Sequence, residues 1–168
     1  MKLKKILAGL LAASLATMSV NGIAATDTAT LNISATAVTA CSFGASTYSM
    51  DFGNYDGTAI ATQQTDISFT CGNANVLFKL EANDGSNFDG VNGDRRMING
   101  SNYLTYDLFS DSGRTQRLGL IADNEHYEST TGTAGSTTTV TIYGAMQSGQ
   151  AIPAAGAYSD TVTLTLTF

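Results

Sequence analysis

Apolar and polar residues alternate strictly near the start of the chain, over residues 28–35. One side of this stretch carries only apolar side chains, among them Ala29, Leu31 and Ile33. Alternation with a period of two is typical of a β-strand with one buried face. The alternation breaks after Ala37, and a strand cannot turn its buried face over without a kink or a junction. The pattern therefore predicts a leading segment over residues 27–35 and a first strand of the main body that runs into Cys41.

The same alternation recurs in short segments along the rest of the chain. These segments lie around residues 48–52, 65–71, 76–82, 104–108, 137–142 and 158–168. No window keeps helical spacing, and β-branched and aromatic residues dominate the periodic segments. Seven or eight short strands, separated by turns rich in Gly, Asn, Asp and Ser, predict an all-β fold, a Greek-key β-sandwich.

The last predicted strand has an apolar residue at every second position up to Phe168. These residues are Val162, Leu164, Leu166 and Phe168. We therefore expect the edge beside this half-buried strand to be left uncovered by later residues. Two possibilities stay open: the leading segment completes its own sandwich beside the last strand, or it completes the sandwich of another molecule.

The first residues are typical of a secretory signal peptide. A basic start is followed by an apolar run over residues 6–20 and by small residues suited to cleavage after residue 24 or 25. The apolar run is too short to span a bilayer. We therefore expect residues 1–24 to be removed and the mature protein to be exported.

Removal of the signal peptide makes the chain strongly acidic. Three of the eight basic residues are lost with it, and the remaining five stand against fourteen acidic residues, a net charge of 5 − 14 = −9. Such a chain lacks the positive surface that nucleic acid or an anionic membrane requires. No later segment is apolar enough for insertion into a membrane, and the remaining length fits one domain.

The sequence has two cysteines, Cys41 and Cys71. In an exported chain an even number of cysteines indicates a disulfide. Closing a loop of about 30 residues would stabilise the fold by roughly 3 kcal/mol in the chain-entropy model. Two separate buried thiols are the alternative.

Residues that could carry chemistry are few. His126 is the only histidine, so neither a Ser/His/Asp triad nor a site with several histidine ligands is expected. Residues 83–94 resemble a calcium loop but lack its alternating ligands and its closing glutamate, which favours a solvated hairpin loop. Tyr158 and Asp160 are expected to fix the corner before the last strand by hydrogen bonding. We expect no catalytic residue, metal or cofactor, and no enzymatic activity.

Several sequence blocks resemble the spore coat protein U family, the single-domain subunits of archaic chaperone–usher pili. The blocks are Phe52-Gly53-Asn54-Tyr55, Arg96-Met97, Leu104-Thr105-Tyr106-Asp107-Leu108-Phe109-Ser110-Asp111, Arg114-Thr115, Val140-Thr141-Ile142-Tyr143-Gly144-Ala145, and Gly156-Ala157-Tyr158-Ser159-Asp160-Thr161-Val162 running on to Phe168. The resemblance covers the whole mature chain, and its C-terminal block is the most specific part. The positions of the two cysteines also fit the family.

The resemblance implies an incomplete immunoglobulin-like sandwich that lacks its final strand and is completed by donor-strand exchange. A periplasmic chaperone would fill the groove first, and the N-terminal extension of a neighbouring subunit would replace it at the outer-membrane usher. In this chain the extension would be residues 25–34, with Ala29, Leu31 and Ile33 as inserted side chains, and the pilin-like domain would be residues 35–168. One side of the groove would be lined by Val162, Leu164, Leu166 and Phe168.

The resemblance thus implies a structural subunit that forms a polymer of identical or homologous subunits. The polymer would stand on the cell surface, or be secreted, and serve adhesion and biofilm formation. Two alternatives remain: a protective coat protein of the spore or cell, and an adhesive subunit at a pilus tip that binds a surface or a glycan.

Overall fold

The computed structural model describes residues 26–57, 61–151 and 154–168. The predicted signal peptide, residues 1–24, lies outside these residues. The chain divides into two compact units, with the boundary between Thr36 and Ala37. The described part of the first unit, residues 26–36, has no regular secondary structure.

The second unit consists of antiparallel β-strands in two sheets. The strands are β1 Cys41–Phe43, β2 Thr62–Cys71, β3 Leu77–Ala82, β4 Arg95–Asn99, β5 Asn102–Phe109, β6 Tyr127–Thr130, β7 Thr137–Met146 and β8 Leu164–Thr167. One sheet has the order β1-β2-β7-β5-β4, and the other has the order β6-β3-β8. A short 3₁₀ helix, Ile121–Asp123, lies between β5 and β6. The prediction of an all-β fold is confirmed.

The core lies between the two sheets and is built from alternate residues of their long strands. Its buried side chains include Ile67, Phe69, Phe78, Leu80, Leu104, Leu108, Val140 and Ile142. The rings of Phe69 in β2 and Phe78 in β3 meet edge to face across the sheets, with centroids 4.7 Å apart. Each alternation predicted within β2, β3, β5 and β7 therefore corresponds to a real buried face, because burial of apolar surface drives the sheets together.

The beginning of the chain differs from the strand pattern predicted for it. Residues 26–40 carry no strand and their side chains are exposed, and β1 begins at Cys41 where the predicted strand was to end. A strand requires a neighbour for its ladder of backbone hydrogen bonds, and an alternating sequence does not supply one. The predicted strand over residues 48–52 is also not formed.

The last segment forms a shorter strand than predicted. Only Leu164–Thr167 belongs to β8, whereas Ser159 forms an isolated bridge with Ile98 of β4 in the other sheet. The segment therefore passes from the five-stranded sheet to the three-stranded sheet. β4 and β6 were not predicted. In β4 the charged residues Arg95 and Arg96 hide the alternation, and in β6 polar residues hide it.

The hairpin predicted for residues 83–94 is wrong. This loop connects β3 and β4, which belong to different sheets. Inside it the Asp89 carboxylate is held by the Val91 N–H at 3.0 Å, the Asn92 Nδ2 at 2.9 Å and the Arg96 Nη1 at 3.3 Å. The first of these hydrogen bonds is the main reason why the pKa of Asp89 lies below its ordinary value. Groups of the protein itself thus surround this carboxylate.

Candidate functional site

An open groove runs along the second unit between two walls: residues 158–164 form the first wall, and residues 43–52 form the second wall. It consists of two adjoining clefts with volumes of 270 Å³ and 510 Å³. Both clefts are lined by Tyr48, Asp160, Val162 and Leu164. We call these two clefts together the groove.

The first wall continues into β8, which lies at the edge of the three-stranded sheet. The Asn83 N–H donates to the Thr163 carbonyl at 3.0 Å, so the backbone groups of Thr163 point toward β3. Because this direction alternates along a strand, the backbone groups of Val162, Leu164 and Leu166 point away from β3. Such an edge offers donors and acceptors to a further strand.

The second wall is held by side chains of β2. The Thr65 Oγ1 donates to the Ser49 carbonyl at 2.8 Å, and the Gln63 Nε2 donates to the Asp51 carbonyl at 2.9 Å. The half-buried side chains that this wall turns toward the core are Tyr48, Met50 and Phe52. The sequence alternation correctly marked the inward face of residues 48–52, although side-chain hydrogen bonds take the place of a ladder.

Gly144 of β7 allows the second wall to approach the sheet closely. A Cβ atom at this position would lie 2.3 Å from the Met50 Sδ and 2.8 Å from the Phe52 Cζ. Both distances are far below van der Waals contact, so any larger residue would displace these two side chains of the wall. The sequence offered Gly144 only as a part of the family resemblance.

The floor of the smaller cleft is apolar. The smaller cleft reaches the core residues Ile67, Leu108 and Ile142 between the two walls. A concave apolar surface beside an unpaired strand edge suits an inserted strand with apolar side chains at alternate positions.

The corner before β8 is fixed by hydrogen bonds, as expected for Tyr158 and Asp160. The Tyr158 hydroxyl donates to the Ala154 carbonyl at 2.8 Å. The Tyr106 hydroxyl of β5 donates to the Asp160 Oδ2 at 2.7 Å. Burial and, after it, this hydrogen bond to Asp160 raise the pKa of Tyr106 far above its ordinary value of 10.0, so Tyr106 remains the donor. The sequence separation of 54 between the two partners hid this pair from sequence reasoning.

The four residues predicted to line one side of the groove do not contribute equally. Val162 and Leu164 line both clefts. Leu166 is half-buried and packs against the core, whereas Phe168 is 50% exposed. The side chains of the first wall that face the groove are therefore concentrated toward the start of β8.

The residues predicted for the donor segment lie in the first unit and are exposed. Leu31 is 81% and Ile33 is 85% exposed, and Ala29 is exposed as well. Large apolar side chains with this exposure leave much surface that burial could stabilise. Their role as inserted side chains stays a prediction.

The predicted disulfide between Cys41 and Cys71 is confirmed. The two residues face each other directly in the pairing of β1 with β2. The bond therefore anchors the short edge strand β1 to a long strand of the core.

Metal-binding clusters are absent from the part of the chain that the structure describes: it holds no group of three or more His, Cys, Asp or Glu side chains that could bind an ion. The His126 side chain is only 11% exposed, and its Nε2 lies 3.8 Å from the Glu128 Oε2. Among the described residues, no helix has the length and hydropathy needed to cross a membrane.

Comparisons with known proteins agree with this architecture. A comparison with curated protein sequences gives no match. The chain is similar to a solved complex of archaic chaperone–usher Csu pili from Acinetobacter baumannii, in which the chaperone CsuC holds the tip subunit CsuE before assembly. The TM-score is 0.57 and the sequence identity is 23%. The match covers 79% of this chain and 40% of the length of the solved chain. A solved chaperone–usher pilus, studied for the uncoiling of its rod, is similar with a TM-score of 0.50 and 16% identity, covering 84% of this chain and 96% of that one.

These likenesses show an immunoglobulin-like fold of the type found in chaperone–usher pilin subunits. The family model of the Spore Coat Protein U domain matches residues 27–165. Because this match spans most of the sequence, the chain belongs to the Spore Coat Protein U domain family.

Proposed function

We propose that this chain is a structural subunit of an archaic chaperone–usher pilus. It polymerises when its N-terminal segment, residues 25–34, inserts into the groove of a neighbouring subunit. One observation carries the proposal: the same chain has an open groove with an apolar floor in its smaller cleft, beside an edge strand, and an exposed segment with strand-like alternation. Membership of the family and the fold shared with chaperone–usher subunits support it.

Insertion is favourable for two physical reasons. The side chains of Leu31 and Ile33, now 81% and 85% exposed, would be buried, and each would contribute roughly 1.5–3 kcal/mol. The inserted segment would also form a ladder of backbone hydrogen bonds with the edge beside Leu164. An inserted segment would complete the sandwich. The burial of its apolar side chains and its backbone hydrogen bonds would together make dissociation slow.

The partners follow from the same groove. An exposed apolar groove is a site for aggregation, so a periplasmic chaperone would cover it until an outer-membrane usher presents the next subunit. The solved complex from Acinetobacter baumannii joins a chaperone to a tip subunit before assembly. The disulfide between Cys41 and Cys71 suits the oxidising periplasm. The pilus would stand on the cell surface, built of identical or homologous subunits, and serve adhesion and biofilm formation.

Deletion and fusion variants test the donor role. A chain without residues 25–34 would still be captured by its chaperone, because the groove is unchanged, but it would end a polymer instead of extending it. A copy of residues 28–34 fused after Phe168 through a flexible linker would occupy the groove and give a monomer that melts at a higher temperature. The matched control is the same fusion with aspartate in place of Leu31 in the added copy.

Size-exclusion chromatography and thermal melting of periplasmic extracts distinguish the outcomes. Loss of chaperone capture by the deletion variant, together with no gain in melting temperature for the fusion, would show that residues 25–34 complete the fold of their own subunit. The proposal would then be wrong.

A subunit of a protective coat is the second candidate function, because the family takes its name from a spore coat protein. Assembly by strand exchange is common to both. Genes for a chaperone and an usher beside the gene for this chain would favour the pilus, and loss of surface polymer after deletion of the usher gene would establish it.

A further inference from the structure

Asp160 joins both sheets of the sandwich through one carboxylate. Its Oδ2 accepts a hydrogen bond from the Tyr106 hydroxyl at 2.7 Å, on β5 of the five-stranded sheet. Its Oδ1 accepts bonds from the Ser86 N–H at 3.0 Å, the Asn87 N–H at 3.2 Å and the Asn87 Nδ2 at 2.9 Å. Ser86 and Asn87 lie in the loop that follows β3 of the other sheet. We call these four hydrogen bonds the clasp.

The clasp lies in the wall of the groove. Asp160 lines both clefts, and Tyr106 lines the smaller one. Next to Asp160, Ser159 is bridged to Ile98 in the five-stranded sheet. On the other side of Asp160, the Thr161 carbonyl accepts a hydrogen bond at 3.0 Å from the Ser86 N–H, in the loop after β3. The chain therefore crosses between the sheets where the clasp holds them.

The local backbone is adapted to the clasp. Gly85 has a φ of +83° and a Cβ atom there would lie 2.2 Å from the Asp160 Oδ2. Glycine tolerates both the positive φ and the close approach of the carboxylate. The loop after β3 is thus shaped to receive Asp160.

Resting on the proposed function, we infer that Asp160 is the positioning residue that keeps the groove open before a strand enters it. An empty apolar groove tends to close, because closure removes apolar surface from water. Bonds from one carboxylate to both sheets oppose that closure, because they hold the wall of residues 158–164 in place relative to β5 and to the loop after β3. The inserted segment then meets a groove that is already formed, and the cost of ordering it is not part of binding.

The clasp depends on hydrogen-bond geometry rather than on the charge of the carboxylate. The amide of Asp160→Asn has the same shape: its oxygen can accept from Ser86 and Asn87, and its Nδ2 can donate to the oxygen of Tyr106. Asp160→Ala loses all four bonds. Tyr106→Phe loses only the bond to the five-stranded sheet and keeps its ring in the core.

The test measures how fast the full chain takes up a fluorescent peptide of residues 28–36, by anisotropy, beside the melting temperature of each variant. A hydrogen bond is worth roughly a factor of two to ten, so Tyr106→Phe should slow association by about that factor, and Asp160→Ala, which loses all four bonds, should slow it further. Asp160→Asn should restore it. The matched control is Tyr103→Phe, which removes a hydroxyl from the same strand at a 41% exposed position and should leave the rate unchanged.

Each outcome decides a different question. Equal association rates for the parent, Tyr106→Phe and Asp160→Ala would overturn the clasp and leave the proposed function standing. Association rates that fall only in proportion to the melting temperature, in Tyr103→Phe as well, would show that these residues have a general structural role. That result would also overturn the clasp. A parent chain that takes up no peptide would overturn the proposed function and this inference together. Should Asp160→Ala not fold, Tyr106→Phe gives the decision alone.

Discussion

The guanidinium of Arg95 is fully buried and donates from Nη1 to the Asp107 Oδ1 at 2.7 Å. Its Nη2 donates to the carbonyls of Ala82 at 3.0 Å and Leu118 at 2.8 Å, and its Nε donates to the carbonyl of Asn83 at 2.9 Å. One side chain of β4 thus satisfies acceptors at the end of β3 in the opposite sheet. It closes the sandwich at the end of β3.

Replacing Arg95 by Met should destabilise the fold strongly. The change leaves the carbonyls of Ala82, Asn83 and Leu118 without the Arg95 donors, and each buried acceptor left unsatisfied costs about 1–3 kcal/mol. Asp107 keeps only Arg117, the other arginine that lies 2.7 Å from its carboxylate. The measurement is the free energy of unfolding in urea. The control is Arg96→Met on the same strand, a residue 25% exposed that stacks 4.3 Å from the Tyr103 ring, where about 1 kcal/mol or less is expected. Equal losses for both variants would contradict this account.

Gly144→Ala should weaken the second wall of the groove. The new Cβ would overlap the Met50 Sδ and the Phe52 Cζ, and such overpacking typically costs about 1–3 kcal/mol. The stability change is checked by thermal melting, and the loosening of residues 48–52 by amide hydrogen exchange. Gly90→Ala is the control, since a Cβ there would meet no atom within 4 Å. A variant Gly144→Ala with unchanged exchange in residues 48–52 would show that the wall does not depend on this contact.

The sequence predicted the buried faces better than the strands. Alternation at Leu104, Tyr106 and Leu108 is caused by burial, and burial is a property of each residue that its hydropathy reveals. A strand also needs a partner, which is set by residues far away in the chain. Residues 48–52 alternate correctly yet form no ladder, since the side chains of Gln63 and Thr65 hold their carbonyls.

The candidate site was predictable only in part. The apolar residues Val162 and Leu164 are visible in the sequence because they follow the period of a strand. The pair of Asp160 and Tyr106 follows no period, and only the folded chain brings it together. The burial of Arg95 could not be predicted for a similar reason. A charged residue indicates a surface position, and only the four hydrogen bonds of the folded chain explain why this side chain is buried.

Asp111 should contribute to the dependence of stability on pH. The pKa of Asp111 lies below its ordinary value of 3.8, mainly because the Gln116 N–H donates to its carboxylate at 2.7 Å. The Thr115 N–H and hydroxyl lower the pKa further, whereas burial raises it by less than the Gln116 bond lowers it. The unfolded chain therefore binds this proton at a higher pH than the folded chain does. The stabilisation is complete above pH 3.8 and is lost as the pH falls through the lowered value.

Asp111→Asn should accordingly be less stable than the parent at neutral pH, and the difference should shrink as the pH falls through the lowered pKa. Urea midpoints between neutral pH and the acid limb measure this. Asp123→Asn, at an exposed position in the 3₁₀ helix, serves as the control. A difference between parent and Asp111→Asn that stays constant over the whole range would refute the linkage.

Charge substitutions should separate the two halves of the proposed strand exchange. Leu31→Asp places a carboxylate on the side of the segment that would enter a neighbour, and burial of an unpaired carboxylate costs several kcal/mol or more. The variant should bind its chaperone like the parent and fail to extend a polymer. Leu164→Asp places the same charge in the wall of the groove, and it should lose chaperone binding and polymerisation together.

The opposite faces of the same two segments supply the controls. Thr30→Asp carries the charge on the other face of the segment, and Thr165→Asp carries it at an exposed position of β8; in both variants the carboxylate can stay in water, so assembly should resemble that of the parent. Copurification with the chaperone and size-exclusion chromatography of the polymers give the two readouts. If Thr30→Asp blocked extension as completely as Leu31→Asp does, charge anywhere on the segment would be the cause, and the insertion of one apolar face would be disproved. If Leu164→Asp still polymerised, the inserted strand would have to lie somewhere other than beside β8.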